Sequence, residues 1–212
     1  MLCSAYGGLG QSSASRALGG LLASLYGKKA LYLEYAEICE EKMGPGCPEG
    51  LREAVYGICC EGSAALNYRS SLLEDEFGML EFPCMGGISP FGSLSEELAE
   101  DFIRALAGAG MFDCIILDVQ NKSARSGFFA ELCEEIVLVK PAFEKAQKHD
   151  ILESRLRQRL SRSPGRRMHI LDLGALSPEE RLEIYGSDIY SPLAAVLRPL
   201  AADLAGRMEN AE

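Results

Sequence analysis

Ser4-Ala5-Tyr6-Gly7-Gly8-Leu9-Gly10-Gln11-Ser12-Ser13 is the stretch on which the reading of the chain turns. Its three glycines lie between a short apolar run, Leu2 to Ala5, and a helical pattern from Ser12 to Tyr26 with Leu18, Leu21, Leu22 and Leu25 on one face. At a strand-to-helix turn, glycines let successive backbone N–H groups curl around phosphate oxygens, and the helix N-terminus behind them adds partial positive charge. The candidate nucleotide-binding residues are therefore Gly7, Gly8, Leu9, Gly10, Gln11, Ser12 and Ser13. The same turn also suits a fold that binds nothing, because a tight βα turn needs glycine for close helix packing. Both readings stand on these residues alone.

Outward from this turn, short β-like runs alternate with helical patterns, which favours an α/β fold of parallel strands joined by helical crossovers. Gly27 stops the first helix, and Ala30 to Glu34 is a second strand. Gly44 to Gly50 is a Gly/Pro-rich loop, and Leu51 to about Leu73 is helical but broken at Gly57 and Gly62. Gly78 to Pro83 reads as a strand, Met85 to Gly92 as a loop, and Ser95 with Glu96 and Glu97 as a helix start. Phe112 to Asp118 is the strongest strand, a continuous apolar run of the kind buried on both faces. Ile136 to Val139 and His169 to Leu173 are further strands flanking a helix from about Phe143 to Leu160; Pro178 to Tyr185 and Pro192 to Met208 are closing helices. Nothing marks a domain boundary, so one domain over residues 1–212 is expected.

A nucleotide site of this type needs a carboxylate at the end of a buried strand to hold the water shell of Mg²⁺ beside a hydroxyl of the glycine loop. Asp118 is placed for that role and Ser12 supplies the hydroxyl; Glu34, ending the second strand, adds a carboxylate on the same sheet edge. Taken singly, each acid also reads as an ordinary strand terminus.

The net charge of −10 argues against a general nucleic-acid binder. No apolar stretch reaches the roughly 18 residues of a spanning helix, and the N-terminus lacks a signal-peptide pattern, so a cytoplasmic protein is expected. The eight cysteines contain no C-x-x-C pair and stand far from His149 and His169, which argues against a zinc site and for free thiols.

The order of glycine loop, helix, Lys28-Lys29-Ala30-Leu31-Tyr32-Leu33-Glu34 and later Phe112-Asp113-Cys114-Ile115-Ile116-Leu117-Asp118 resembles the deviant Walker A, A′ and Walker B boxes of the ParA/MinD family of P-loop NTPases. Within it, the run from Phe82 through Ser89-Pro90-Phe91 to Ser95-Glu96-Glu97-Leu98 is most similar to the CpaE/TadZ group associated with pilus assembly and polar localisation. The likeness covers roughly the first 140 residues. It implies a three-layer αβα domain with a mostly parallel sheet, ATP and Mg²⁺ as cofactors, a homodimer formed across the P-loops, and partners in a pilus or secretion machine, with recruitment to membrane or cell pole through them.

The departures bear on chemistry. Where the family has lysines before the paired glycines and after the third glycine, this chain has Tyr6 and Gln11; where the A′ box has two aspartates, it has Glu34 and Ala36. Phosphoryl transfer rests on positioning and on stabilising charge spread over phosphate oxygens. The implied protein is a degenerate ATPase that binds nucleotide weakly and hydrolyses little or none. Two alternatives remain: a scaffold that binds no nucleotide, and an active ATPase, kinase or amide-forming synthetase using Lys28, Lys122 or Arg125 as a replacement cation. The basic stretch from Lys145 to Arg167 permits DNA contact, although Arg155, Arg159 and Arg162 at helical spacing with Glu153 nearby also form an ordinary solvated face. In the last helix, the stripe Leu193, Leu197, Leu200 and Leu204 is expected to pack on the core, because its polar face lacks the excess of basic residues that lipid binding favours.

Overall fold

The computed structural model describes residues 1–4, 10–42, 50–61, 72–119, 128–140, 146–162, 165–173, 176 and 189–210. In chain order they form β1 (Leu2–Ser4), α1 (Gln11–Tyr26), β2 (Ala30–Tyr35), β3 (Ile38–Lys42), α2 (Gly50–Glu61), β4 (Leu73–Glu74), β5 (Leu80–Glu81), β6 (Cys84–Ile88), α3 (Glu96–Gly108), β7 (Cys114–Val119), β8 (Glu135–Lys140), α4 (Ala146–Leu160), β9 (Arg167–Asp172) and α5 (Pro192–Glu209). A seven-stranded sheet runs in the order β4-β5-β2-β7-β1-β8-β9. Every neighbouring pair in it is parallel except β4–β5.

Alternation along each strand sends side chains to two separate cores. On one face Leu2, Tyr32, Ile116, Val137 and Val139 meet α1 and α5 through Leu18, Leu21, Leu22, Leu193 and Leu197. On the other, Leu31, Leu33, Leu117 and Leu138 meet α2, α3 and α4 through Val55, Phe102, Leu106 and Leu152. The architecture is thus the expected three-layer α/β fold. The stripe on α5 packs inward as expected, with Leu193, Leu197 and Leu204 buried and Leu200 half-buried. Leu25, assigned to the apolar face of α1, is instead exposed.

Helix boundaries follow from local chemistry. Gly10 stands at φ 77°, in the left-handed region that favours glycine, and its carbonyl accepts from Ala14 N at 2.8 Å to open α1. Gly27, also left-handed, closes it. Ser95 caps α3 by accepting from Leu98 N at 3.3 Å, with Glu96 and Glu97 in the first turn where the helix dipole favours acid.

The region between β2 and α3 departs from the sequence reading. Met85 to Gly92 is not all loop, because Cys84–Ile88 pairs antiparallel with Ile38–Lys42 in a separate two-stranded sheet. Two glycines and no β-branched residue before Ile88 hid the strand. Gly57 does not break α2, since packing of Leu51, Ala54 and Val55 outweighs its weak propensity. The expectation that all eight cysteines are free thiols is also corrected: the two-stranded sheet brings Cys39 and Cys84, 45 residues apart, into a disulfide. Among the described residues no helix is long and apolar enough to cross a membrane. The Gly44–Pro48 part of the expected loop, the break at Gly62 and the expected helix from Pro178 to Tyr185 fall outside the described residues.

The turn before α3 is fastened to the end of β2. Ser89 N donates to Glu37 O at 2.9 Å, Gly92 N donates to Ser89 Oγ at 3.1 Å, and Phe91 packs edge-on to Tyr35 with centroids 5.1 Å apart. A Cβ on Gly92 would lie 1.7 Å from the carbonyl oxygen of Ala36. Backbone on both sides leaves no soft neighbour to yield. Gly92→Ala is expected to destabilise the protein by about 2 kcal/mol or more, the upper part of the range for overpacked sites, read as a lower urea midpoint; an unchanged midpoint would show that the two segments separate freely.

Candidate functional site

Because β1, β2 and β7 are adjacent and parallel, their C-terminal ends share one edge of the sheet, where α1 begins. Asp118 on β7 is in register with Leu2 on β1 and with Glu34 on β2. Tyr32, two residues before Glu34, projects to the same α1 side as Asp118 by strand alternation. The sequence-assigned residues Gln11, Ser12 and Asp118 come together at this edge, with Glu34 one strand away. Gly7, Gly8 and Leu9 lie outside the described residues, as do Lys122 and Arg125; Gly10 is the N-cap of α1 and Ser13 sits in its first turn.

Asp118 is fully buried, so its carboxylate depends on donors from the protein. Gln11, itself buried, donates through Nε2 to Asp118 Oδ1, to Val119 O at 3.0 Å and to Leu2 O at 3.2 Å. The hydroxyl of Tyr32 donates to Asp118 Oδ2 at 3.0 Å, and the hydroxyl of Ser12 also bonds the carboxylate. Burial pushes the Asp118 carboxyl above its ordinary value, opposed by these three donors and by the charge of Arg16. Burial and the neighbouring Asp118 carry the Tyr32 phenol well above its usual value, which keeps it a donor.

Arg16 completes the cluster. Its guanidinium lies 4.2 Å from the centroid of the Tyr32 ring and pairs with Glu81 at 3.1 Å. Sequence reasoning passed over Arg16 and Tyr32. Two signals were present: Arg16 is the one charged residue in a helix of small and apolar side chains, four residues after Ser12, and Tyr32 shares the alternation phase of Glu34. Lys28, one of three candidates for a replacement cation, stands away from this cluster. It follows the far end of α1, about 25 Å along the helix from Gln11 at 1.5 Å per residue, and pairs with Glu209 at 3.6 Å.

Beside the cluster, a cavity of about 30 Å³ is lined by Tyr32, Glu34, Cys39, Glu81 and Cys84 among others, room for a water but not for a nucleotide. Along the basic stretch, Arg157 pairs with Glu153 at 2.8 Å and Arg159 with Glu131 at 2.7 Å, so part of that charge is neutralised locally.

No protein-family model and no curated protein sequence matches the chain. Solved structures do. The MinD cell division protein of Aquifex aeolicus superposes with a TM-score of 0.62 at 15% identity, over 97% of this chain and 95% of that one. Cobyrinic acid a,c-diamide synthase from Mycobacterium smegmatis superposes in its form with bound ADP and magnesium at 0.58, with 14% identity over 100% and 95% of the two chains. Its form with a bound ATP analogue and magnesium gives 0.50, with 14% identity over 81% and 70%. At such identities the likeness establishes the fold alone, a mostly parallel α/β sheet flanked by helices of the kind seen in MinD and cobyrinic acid a,c-diamide synthase.

The raised Asp118 has a direct consequence for stability. The folded state holds this proton more tightly than the unfolded chain, so the carboxyl's contribution is fully present below the ordinary value of 3.8 and is lost as pH rises through the raised value. In metal-free buffer, the melting temperature of Asp118→Asn relative to the parent is expected to shift in favour of the variant between about pH 4 and pH 8. A difference independent of pH would mean that Asp118 titrates as in the unfolded chain.

Proposed function

We propose that the chain is a ParA/MinD-type localisation or assembly factor, of the CpaE/TadZ kind that serves pilus or secretion machinery, with a degenerate ATP site that binds nucleotide weakly and hydrolyses little or none. The observation that carries this reading is Gln11: at the position where the resemblance implies a lysine, a neutral amide reaches back to the buried Asp118. Losing one transition-state donor lowers rate by about 10² to 10³, and the resemblance implies that two cations, at Tyr6 and Gln11, are absent.

The residues fit magnesium in kind. The Ser12 hydroxyl and the Asp118 carboxylate are hard oxygen donors in direct contact at the start of α1, the chemistry a hydrated Mg²⁺ takes. Magnesium held there would neutralise phosphate charge. The N–H groups at the start of α1 would face the phosphates, with Gly7 to Ser13 supplying the loop. The solved relatives of this fold with ADP or an ATP analogue and magnesium support both cofactors. On the resemblance, residues 1–212 act as one domain, a second copy docks across the P-loops, and the protein works in the cytoplasm, reaching a membrane or cell pole through its partners.

A scaffold that binds no nucleotide is the second reading, favoured by the saturation of Asp118 with donors from its own chain. An active ATPase or kinase is less well supported, since Arg16 is engaged by Glu81 and Tyr32 and Lys28 lies at the opposite end of α1.

Calorimetric titration with ATP and a non-hydrolysable analogue, with and without Mg²⁺, separates the first two readings. Weak binding that requires Mg²⁺ and disappears in both Ser12→Ala and Asp118→Ala is the expected result. No heat at millimolar nucleotide from folded protein would leave the scaffold.

A further inference from the structure

Each of the two carboxylate oxygens of Asp118 accepts from the protein, and the Ser12 hydroxyl adds a third hydrogen bond. Oδ1 accepts from the Gln11 amide and Oδ2 from the Tyr32 hydroxyl at 3.0 Å, at a residue with no exposed surface. Neither donor is loosely held. The Gln11 amide is also bonded to Leu2 O and Val119 O, which ties it to the ends of β1 and β7. The Tyr32 ring is 3% exposed and lies under the Arg16 guanidinium, which Glu81 in turn anchors at 3.1 Å.

A hydrated divalent cation approaching Asp118 would offer its water protons to these same two oxygens. We propose that Gln11 and Tyr32 form an internal cap that holds Asp118 in place of a hydrated divalent cation, so that the cation binds only when one of the two donors lets go. The cap rests on the reading of this edge as a cation and nucleotide site, and it adds a form of regulation to that site. Gln11 and Tyr32 are positioning residues in this arrangement, and Arg16 with Glu81 sets the readiness of Tyr32 to move. Hydrogen bonds to charged groups shift an equilibrium by roughly ten- to a hundredfold each, so releasing either donor has a measurable effect on cation affinity.

The test uses Mn²⁺ alone as the probe, with free ion counted by electron paramagnetic resonance in titrations of the full chain. Tyr32→Phe keeps the ring under Arg16 and removes only the hydroxyl; Gln11→Ala removes the amide. The cap predicts that each variant binds Mn²⁺ about tenfold or more tightly than the parent, and that adding Asp118→Asn to Tyr32→Phe abolishes the gain. Mn²⁺ affinity unchanged or weakened in Tyr32→Phe, with native circular dichroism, overturns the cap; so does a gain that survives Asp118→Asn. Should Gln11→Ala fail to fold, Tyr32→Phe decides. Titrating ATP into the same proteins separates the two ideas. A Mn²⁺ gain without any ATP binding keeps the cap and removes the nucleotide reading, whereas ATP binding by the parent without a Mn²⁺ gain does the reverse.

Discussion

A carboxylate with no access to water must be satisfied by the protein around it, and the structure at the C-terminal edge of the sheet is organised by that requirement at Asp118. Its three donors come from two different elements: Gln11 and Ser12 from the first turn of α1, and Tyr32 from β2. The Gln11 amide adds bonds to carbonyls of β1 and β7. One side chain thereby joins the start of the first helix to two central strands, while Asp118 joins that helix to a third. Removing either partner of such a buried pair leaves the other unsatisfied, which costs about 1–3 kcal/mol. The first turn of α1 is thus tied to the C-terminal edge of the sheet.

The second constraint is steric. At the end of β2, Ala36 meets Gly92 closely enough that no side chain fits between them, and the Phe91 ring fills the space among Tyr35, Phe102 and Phe129. This contact places the two-stranded sheet of β3 and β6 beside Glu34 and Glu81, and the Cys39–Cys84 disulfide links the two strands there. Ile38 and Ile88, paired across that small sheet, are both exposed, whereas Cys39 and Cys84 are buried.

Much of this was legible in the sequence, and the physical reasons differ by element. Phe112 to Asp118 announced a doubly buried strand because nearly every side chain in it is apolar; Ser95 announced a helix because a cap followed by acids has few other uses. The approach of Gln11, Ser12 and Asp118 could be expected from element order alone. The two-stranded sheet could not, since its strand Cys84–Ile88 contains two glycines and pairs with a segment 45 residues earlier. Nor could the partners of Asp118. Burial and register decide which side chain fills the space beside a carboxylate, and Tyr32 looks in the sequence like any other strand aromatic.

An amide at residue 11, where the resemblance implies a lysine, leaves the charge of this edge to the acids around it. Asp118, Glu34 and Glu81 set three acids against Arg16, whose guanidinium lies over the Tyr32 ring and pairs with Glu81. A lysine at residue 11 would have narrowed this imbalance to three acids against two cations and favoured a polyanion. With glutamine, these residues repel a triphosphate. If the edge takes a nucleotide as proposed, backbone amides would offer phosphate partial charges only, and a triphosphate would have to arrive with a divalent cation or after one. On that ordering the cation would be the gate, and the donors on Asp118 what it would displace. Under the proposed reading, occupancy of this edge would be governed first by metal and by the position of a single tyrosine hydroxyl.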